Sequence, residues 1–224
     1  ELKRVEKKMS SDALDIMTTL GEQGMTLVGD GAAGLFEMKR LAECLMPGAE
    51  AAPAEARAAR SRAIAGHVTS HEAFERAEVL TAYLAMRGEV DPAPIVEAAR
   101  RKGKTVALPR LSRGETTMRF HVFEAGAVLE ESSMGFLQPP ATAEEVRDSE
   151  VNLILTPALA IDLRGHRIGF GKGFYDRFLE RLPHATSIAL IFDFQRLLEV
   201  PDTPGDMPVD LWAWDLGVDG PESS

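Results

Sequence analysis

The residues best suited to chemistry lie together in a glycine-rich stretch between positions 160 and 177. Gly169, Gly171 and Gly173 alternate with other residues, and Lys172 stands among them. Glycine allows a backbone with positive φ and close approach to a ligand, because no Cβ is in the way. At the start of a helix, such a loop offers unpaired N–H donors and the positive end of the helix dipole. The stretch therefore predicts a binding site for nucleotide phosphates.

Charged side chains beside these glycines favour the same interpretation. Arg167 and Lys172 add positive charge, and Asp176 is a carboxylate of the kind that holds the metal accompanying a triphosphate. The stretch is not a Walker A loop, which needs Ser or Thr directly after the lysine, where this chain has Gly173. The alternative is a plain turn between a strand and a helix, with its basic side chains in solvent.

The chain around this stretch has the pattern of an α/β protein. From about Leu80 onward, short apolar runs alternate with helical patterns, which is typical of a mostly parallel sheet covered by helices. We therefore predict a single three-layer α/β/α domain. The predicted strands are Val79–Met86, Lys104–Pro109, Thr117–Phe123, Val151–Pro157 and Ser187–Phe192, and the predicted helices are Pro92–Lys102, Tyr175–Leu182 and a short one opened by the capping-box pair Thr142 and Glu145.

The order of these elements predicts where the glycine-rich stretch lies. It follows the strand Val151–Pro157 and precedes the helix Tyr175–Leu182. We therefore expect it at the carboxyl ends of the strands, where open α/β sheets bind ligands. We assign residues 55–218 to the α/β domain, residues 1–54 to an N-terminal helical segment without an assigned role, and residues 219–224 to a tail.

The charge of the chain limits the partners that it can attract. The chain has 224 residues, with 25 Lys and Arg against 35 Asp and Glu, so its net charge is −10. This balance argues against nucleic acid and membrane surfaces as partners, because both are bound through basic faces. A small molecule is the expected partner. If it is anionic it needs a local basic cluster, for which the chain offers Arg164, Arg167, Lys172 and Arg177.

Cysteine content and hydropathy indicate a compartment. Cys44 is the single cysteine, which excludes an internal disulfide and a thiolate-rich metal site. No run approaches the roughly 18 to 20 apolar residues that cross a bilayer, and the start at Glu1 is charged where a signal peptide is apolar. We expect the cytoplasm, with an organellar matrix as the other option.

The segment Pro157–Arg177 closely resembles the signature of the 5-formyltetrahydrofolate cyclo-ligase family, also called methenyltetrahydrofolate synthetases. Its run Gly-x-Arg-Ile-Gly-x-Gly-Lys-Gly-Phe-Tyr-Asp-Arg, which starts at Gly165, is long enough to be specific. Shorter blocks in the family's order lie at Gly88–Asp91, Gly103–Arg110, Met118–Phe120, Gln138–Pro139, Phe192–Gln195 and Gly205–Asp210. The resemblance covers about residues 60 to 218.

The resemblance implies an enzyme that uses ATP and Mg²⁺ to close 5-formyltetrahydrofolate to 5,10-methenyltetrahydrofolate. The reaction passes through a phosphorylated formyl group and releases ADP and phosphate. Such a transfer depends on positioning and charge stabilisation, so a site without a Ser-His-Asp triad or a reactive Cys is expected. A monomer is expected, and a dimer is the alternative.

The resemblance also implies roles for individual residues. Arg167, Lys172 and Tyr175 would be catalytic, and Asp176 and Asp206 would ligate Mg²⁺. The residues implied for ATP are Lys39, Arg40, Arg167, Gly169, Gly171, Lys172 and Gly173. Those implied for the folate are Leu84, Glu89, Phe170, Gly171, Lys172, Gly173 and Phe174. A carboxylate suits the pterin, whose adjacent N–H groups can donate to both of its oxygens.

One block departs from the family pattern. Members usually open with Lys-x-x-Leu-Arg, which supplies basic groups to ATP. The nearest counterpart here is Phe36–Arg40, where the Lys and the Arg are out of position, or the later Arg57, Arg60 and Arg62. The alternatives are therefore a family member that uses ATP weakly, or a homologue that binds folate or nucleotide, or serves as a scaffold, without turnover.

Three other patterns offer competing interpretations. Gly29–Gly34 matches the Gly-x-Gly-x-x-Gly of dinucleotide-dependent oxidoreductases, but no second strand ending in an acidic residue follows it. His67 and His71 have metal-ligand spacing without a third ligand, so we expect surface histidines. Trp212 and Trp214 are expected to pack at an edge in a terminal strand.

Overall fold

The computed structural model describes residues 53–86, 88–112, 114–169 and 172–221. The helices are α1 (Ala54–Thr69), α2 (Glu72–Arg76), α3 (Ala93–Arg101) and α4 (Phe174–Arg181), with 3₁₀ turns at Asp148–Glu150 and Asp193–Gln195. The strands are β1 (Val79–Thr81), β2 (Thr105–Arg110), β3 (Arg119–Val122), β4 (Glu130–Glu131), β5 (Leu137–Gln138), β6 (Leu153–Pro157), β7 (Ala160–Ile161), β8 (Arg167–Ile168), β9 (Thr186–Leu190), β10 (Leu211–Trp214) and β11 (Gly217–Asp219).

A seven-stranded sheet in the order β11-β10-β9-β6-β1-β2-β3 forms the centre of the fold. The strands from β10 to β2 pair in parallel, and the outermost strands, β11 and β3, run antiparallel to their neighbours. Two small ribbons, β4-β5 and β7-β8, lie outside this sheet. The mostly parallel sheet that the sequence predicts is confirmed.

Helices cover both faces of the sheet because successive residues of a buried strand point to opposite sides. In β6, Leu153 and Leu155 belong to the core cluster that includes Ile64 of α1. The intervening Ile154 belongs to the second cluster, which includes Phe178 of α4. The arrangement is therefore helix, sheet, helix, as the sequence predicts for a single α/β domain.

The strand predicted at Val79–Met86 is too long, because β1 ends at Thr81. Beyond the strand, the side chain of Tyr83 packs into the core cluster shared with α1 and α3. Its hydroxyl donates a hydrogen bond to the carbonyl of Val90, at 2.7 Å. The apolar run is therefore buried as expected, but its second half forms a loop instead of a strand.

The short helix predicted at Thr142 and Glu145 is wrong. Glu145 forms an antiparallel bridge with His121 of β3, and the N–H of Val146 donates to the carbonyl of Phe120 at 2.8 Å. Pairing with β3 satisfies the backbone groups that a helix would otherwise pair within itself. Tertiary pairing therefore overrides the local capping pattern.

The edge position expected for Trp212 and Trp214 is also wrong. Their strand, β10, lies between β9 and β11, and both indole side chains are buried in the described fold. His67 and His71 are only partly buried, and His71 caps α2 by accepting the N–H of Ala73. Among the described residues, no group of three or more His, Cys, Asp or Glu side chains is arranged to hold a metal ion, and His67 and His71 belong to no such group.

The patterns predicted before position 53, including Gly29–Gly34, Lys39 and Arg40, lie outside the described residues. The same holds for Phe170 and Gly171 in the glycine-rich stretch. Within the described ranges, no helix is both long enough and apolar enough to cross a bilayer.

Candidate active site

Two loops that carry predicted site residues leave the same edge of the sheet. Strands β1 and β6 are parallel neighbours, with Leu80 opposite Leu153. The loop after β1, residues 82–92, carries Glu89 and is called the Glu89 loop below. The chain after β6 forms the β7-β8 hairpin and then residues 169–173, the glycine loop, which leads into α4. Carboxyl ends of parallel strands are where such sheets bind ligands, so the topology places the two loops as the sequence predicts.

The buried carboxylate of Asp162 organises the β7-β8 hairpin. Its Oδ1 accepts the backbone N–H groups of Arg164 and His166, at 2.9 and 3.0 Å. Its Oδ2 accepts Nε of Arg164 at 3.0 Å and the N–H of Val200 at 3.1 Å. These bonds join the hairpin to the later segment 200–209. Sequence analysis did not single out this residue, although an Asp at the start of a tight turn is a recognised turn signal.

Gly165 brings the hairpin and the later segment together. It has φ of +86°, and a Cβ on it would lie 2.5 Å from the carbonyl oxygen of Val209. The N–H of Val209 donates to the carbonyl of Gly165 at 2.9 Å. Only glycine permits this approach without a backbone shift. The segment that contains Asp206 is therefore packed directly against the hairpin.

Gly173 and Gly169, both in the glycine loop, differ in whether the fold itself requires glycine at that position. Gly173 precedes α4 with φ of +61°, and a Cβ there would meet Nη1 of Arg177 at 2.9 Å. Gly169, by contrast, does not have positive φ. A Cβ on Gly169 would meet no described atom within 4 Å, so protein packing does not require glycine at this position. This open backbone can be approached closely by a ligand.

The first turn of α4 provides donors for an anion. No side chain within the described ranges caps this helix, whose N-cap is Gly173. The first N–H groups of the helix therefore have no intrahelical partner. Lys172 is exposed beside them, and no described residue forms an ion pair with its ammonium group. This combination suits a phosphate group.

Arg167, in β8, has an almost fully buried side chain. Its guanidinium donates to Oδ1 of Asp176 at 3.2 Å and to the carbonyl of Met207 at 2.8 Å, and its carbon Cζ lies 5.9 Å from the centre of the Tyr175 ring. Burial lowers the pKa of Arg167, and the carboxylate charges of Asp176 and Asp206 partly offset that effect. The guanidinium therefore links β8 to α4 and to the segment that carries Asp206.

The two carboxylates expected to bind metal both act on Arg167. Oδ1 of Asp176 accepts Arg167 and the N–H of Met207, the latter at 3.2 Å. Oδ2 of Asp206 accepts the N–H and the hydroxyl of Thr203, at 2.6 and 2.9 Å. In the described part of the chain, no hydrogen bond engages the second oxygen of either carboxylate. Two carboxylates fit Mg²⁺ that shares its remaining positions with phosphate and water.

Besides the start of α4 and the Arg167–Asp176 pair, this edge of the sheet carries Glu89, which is buried. Its Oε2 accepts the N–H of Met86 at 2.9 Å, and its own N–H donates to the carbonyl of Met86 at 3.0 Å. Burial raises the pKa of Glu89 to about 7, and the Met86 hydrogen bond opposes the shift. Leu84, from the same loop, is half-buried against the core.

Tyr175 connects the Glu89 side of the edge with the phosphate side. Burial raises the pKa of its phenol, and the charge of Glu89 raises it further, whereas Arg167 lowers it. These effects require that both groups lie within electrostatic range of Tyr175. The phenol therefore stays protonated near neutral pH and can donate a hydrogen bond.

Two members of the expected basic cluster are committed to other contacts. Arg164 pairs with Asp162 and, at 2.9 Å, with Asp202. Arg177 donates to the backbone carbonyls of Thr116 and Lys172, each at 2.9 Å, and so braces the glycine loop. The described structure therefore leaves Lys172 and the start of α4 as the exposed positive part of the site, whereas Arg167 is buried and paired with Asp176.

Comparison with known proteins identifies relatives of the chain. Residues 39–212 match the sequence profile described as the 5-formyltetrahydrofolate cyclo-ligase family. A 5-formyltetrahydrofolate cyclo-ligase of Escherichia coli K12 is 30% identical over 158 residues, which are 62% of this chain and 82% of that protein. One from Mus musculus is 29% identical over 168 residues, 70% of this chain and 83% of the relative.

Solved structures agree with this result. The 5,10-methenyltetrahydrofolate synthetase of Aquifex aeolicus superposes with a TM-score of 0.73 and 26% identity, covering 84% of this chain and 94% of that one. A 5,10-methenyltetrahydrofolate synthetase from Mycoplasma pneumoniae, at 18% identity and a TM-score of 0.65, shares the fold over 80% of this chain and 98% of its own.

Proposed function

The chain belongs to the 5-formyltetrahydrofolate cyclo-ligase family, and we propose that it closes 5-formyltetrahydrofolate to 5,10-methenyltetrahydrofolate with ATP and Mg²⁺. The observation that carries the proposal is the meeting of three features at one edge of the sheet. They are the uncapped start of α4, the Arg167–Asp176 pair and the buried Glu89. Together they provide donors for phosphate, oxygens for a metal and a carboxylate for a pterin.

The formyl oxygen is a poor leaving group, and ATP supplies the phosphoryl group that lets it leave as phosphate once N10 of the folate has attacked the formyl carbon. The formyl oxygen would become bonded to the γ-phosphorus while ADP departs. After N10 attacks the formyl carbon, loss of the N10 proton to solvent and of phosphate would leave the methenyl bridge. No protein nucleophile is needed. The role of the chain is to hold the reacting groups in line and to stabilise their charge.

Positive groups of the glycine loop would hold the phosphates. The uncapped N–H groups at the start of α4 and the ammonium of the adjacent Lys172 would supply this positive charge. Arg167 is nearly buried, so its charge acts in a medium of low dielectric, where it is worth more than in water. Gly169 leaves the backbone open for close contact. Lys39, Arg40 and Gly171 stay predicted ATP contacts outside the described residues.

Asp176 and Asp206 would hold Mg²⁺ between them and the phosphates. Each has one oxygen fixed by protein donors and the other without a described hydrogen bond. A carboxylate that is held by one oxygen presents the second in a defined direction. This arrangement matches the preference of Mg²⁺ for one or two carboxylates together with substrate phosphates and water.

Glu89 would bind the pterin, with Leu84 and Phe174 as apolar neighbours and Phe170 as a predicted one. An ionised carboxylate that is shielded from water accepts strong hydrogen bonds from paired N–H donors. Tyr175, whose phenol stays protonated and is affected electrostatically by both Glu89 and Arg167, would donate to an oxygen of the reacting formyl or phosphoryl group.

The test is a reaction with purified protein, 5-formyltetrahydrofolate, Mg²⁺ and ATP. We expect the near-ultraviolet absorbance of the methenyl product to rise only when all components are present, with one ADP formed per product. Binding of folate and ATP without product would instead identify a homologue that lacks turnover. Saturable binding of NAD or NADP would favour the dinucleotide interpretation of Gly29–Gly34.

A further inference from the structure

The Glu89 loop orients its carboxylate by contacts within the loop. Met86 donates its N–H to Oε2 of Glu89 and accepts the N–H of Glu89 at its carbonyl. These two bonds set the side chain relative to the loop. They do not set the loop relative to the sheet, because both partners belong to the same short segment.

The hydroxyl of Tyr83 fixes the loop to the core. It donates a hydrogen bond of 2.7 Å to the carbonyl of Val90, the residue directly after Glu89. Tyr83 and Val90 are only 4% and 1% exposed, so water does not compete with this bond. The ring of Tyr83 packs in the cluster that joins α1 and α3 to the sheet. The contact therefore ties the backbone next to Glu89 to the rigid part of the fold.

A second bond holds the same backbone from the opposite side. The N–H of Asp91 donates to the hydroxyl of Ser61 in α1, at 3.1 Å. Ser61 is buried as well. Two side-chain hydroxyls therefore hold the backbone that follows Glu89. Tyr83, at the start of the Glu89 loop with its ring in the core, bonds Val90, and Ser61 of α1 bonds Asp91.

The donor role of Tyr83 does not change over the range of pH in which the protein works. Burial raises the pKa of Tyr83 well above its usual range, and the charges of Glu89 and Tyr175 add to the shift. The hydroxyl therefore keeps its proton. The same effects require that Tyr83, Glu89 and Tyr175 lie within electrostatic range of one another.

We propose that Tyr83 is a positioning residue for the folate, because its hydroxyl holds the backbone beside Glu89 in the conformation that meets the pterin. The inference rests on the proposed function, in which Glu89 receives the pterin. Tyr83 does not touch the reacting atoms. It keeps the Glu89 loop ordered before the folate binds, so that folate binding does not have to offset the conformational entropy lost on ordering the loop.

The direct test is Tyr83→Phe, which removes one hydroxyl and keeps the ring. We expect the KM and the dissociation constant for 5-formyltetrahydrofolate to rise about 3- to 10-fold, the loss of one buried hydrogen bond. The kcat and the KM for ATP should stay within about twofold, because the phosphate side of the site is unchanged. An unchanged folate KM would overturn the proposal.

A double-mutant cycle with Glu89→Gln separates positioning from a general effect on the fold. If Tyr83 acts through Glu89, Tyr83→Phe should weaken folate binding by less than about twofold in the Glu89→Gln background. A full, additive loss would contradict the inference while leaving the proposed function intact. Unchanged folate affinity in Glu89→Gln alone would overturn both the pterin role and the inference.

Ser187→Ala is the matched control for the loss of a buried hydroxyl. Ser187 lies near the amino-terminal end of β9 and exchanges hydrogen bonds with Asp210, away from the Glu89 loop. It should lower the melting temperature without changing the folate KM. If Tyr83→Phe does not fold, Ser61→Ala frees the same loop from its other side and should raise the folate KM alone; no change there would count against the proposal.

Discussion

The glycine loop and the Glu89 loop meet at one edge of the sheet and are built by different means. The glycine loop uses neighbours in sequence: Gly173 before α4, the exposed Lys172, and the pair Arg167 and Asp176. The Glu89 loop depends on one buried carboxylate, and its backbone is held by the hydroxyl of Tyr83, whose ring is buried in the core, and by the hydroxyl of Ser61 in α1.

The difference follows from the two ligands that we assign to these loops. A phosphate carries several charges and can be held by backbone N–H groups and flexible cations, which a short motif supplies. A pterin is distinguished by a few hydrogen bonds in a site shielded from water, so the position and ionisation of a single carboxylate decide its affinity. Local sequence therefore builds the first loop, and packing builds the second.

The largest expected effect is on the phosphate side. Lys172→Ala should lower kcat about 10²- to 10³-fold, because it removes a positive group that faces the transferred charge. The melting temperature should not move, since Lys172 is exposed. Lys102→Ala is the control, because Lys102 is an exposed lysine at the end of α3 that pairs with Glu75, before β2 begins and so away from the carboxyl ends of the strands. Wild-type turnover in Lys172→Ala would remove this residue from the site.

A change on the folate side should have a different kinetic signature. Glu89→Gln keeps the shape and removes the charge, so the kcat/KM for folate should fall about 10- to 100-fold, the range for hydrogen bonds to a charged group. The KM for ATP should remain near its wild-type value. Steady-state kinetics with each substrate varied in turn would measure the contrast. Equal losses for both substrates would show that the two loops do not act separately.

The dependence of the rate on Mg²⁺ tests whether Asp206, in the segment after β9, is a metal ligand. Asp206→Asn keeps one oxygen ligand but loses its charge, so the Mg²⁺ concentration for half-maximal rate should rise about tenfold. Asp202→Asn is the matched control, because Asp202 lies in the same segment but pairs with Arg164. The two variants should be compared by Mg²⁺ titration at fixed ATP. An equal response from both would argue against Asp206 as a ligand.

The pH dependence of folate binding should arise from the Glu89 side of the site and not from the phosphate side. Burial raises the pKa of Glu89 from 4.5 to about 7, so its binding-competent carboxylate is lost as the pH falls through 7. Between pH 8 and pH 6 the ionised fraction drops about tenfold, and the folate KM should rise by about that factor. In Glu89→Gln this part of the dependence should disappear. A wild-type KM that is constant over this range would contradict the assignment.

Much of the fold could be predicted from apolar runs. The core of β2, β6 and β9 lies within the strands expected from Lys104–Pro109, Val151–Pro157 and Ser187–Phe192, to within one or two residues. The failures occur where partners distant in sequence decide the conformation. Glu145 pairs with His121 instead of entering a helix, and β11 covers the strand that was expected at an edge.

The same division holds for the site. The glycine loop, Arg167 and Asp176 could be identified from the sequence because all of them lie between positions 167 and 176. Asp162 and Tyr83 were missed, because the importance of each comes from a partner that sequence spacing does not show. The partner of Asp162 is Val200, and that of Tyr83 is the buried carbonyl of Val90.

Residue order alone was enough to indicate the α/β class, the family and the phosphate-binding chemistry, because glycine conformation, helix dipoles and charge act over a few residues. The fold decided the state of each basic group, since Arg164 is paired with Asp162, Arg167 is buried beside Asp176 and Lys172 is exposed. It also raised the pKa of Glu89 and anchored its loop. Desolvation and long-range hydrogen bonds arise only when distant segments pack together, so these properties belong to the tertiary structure.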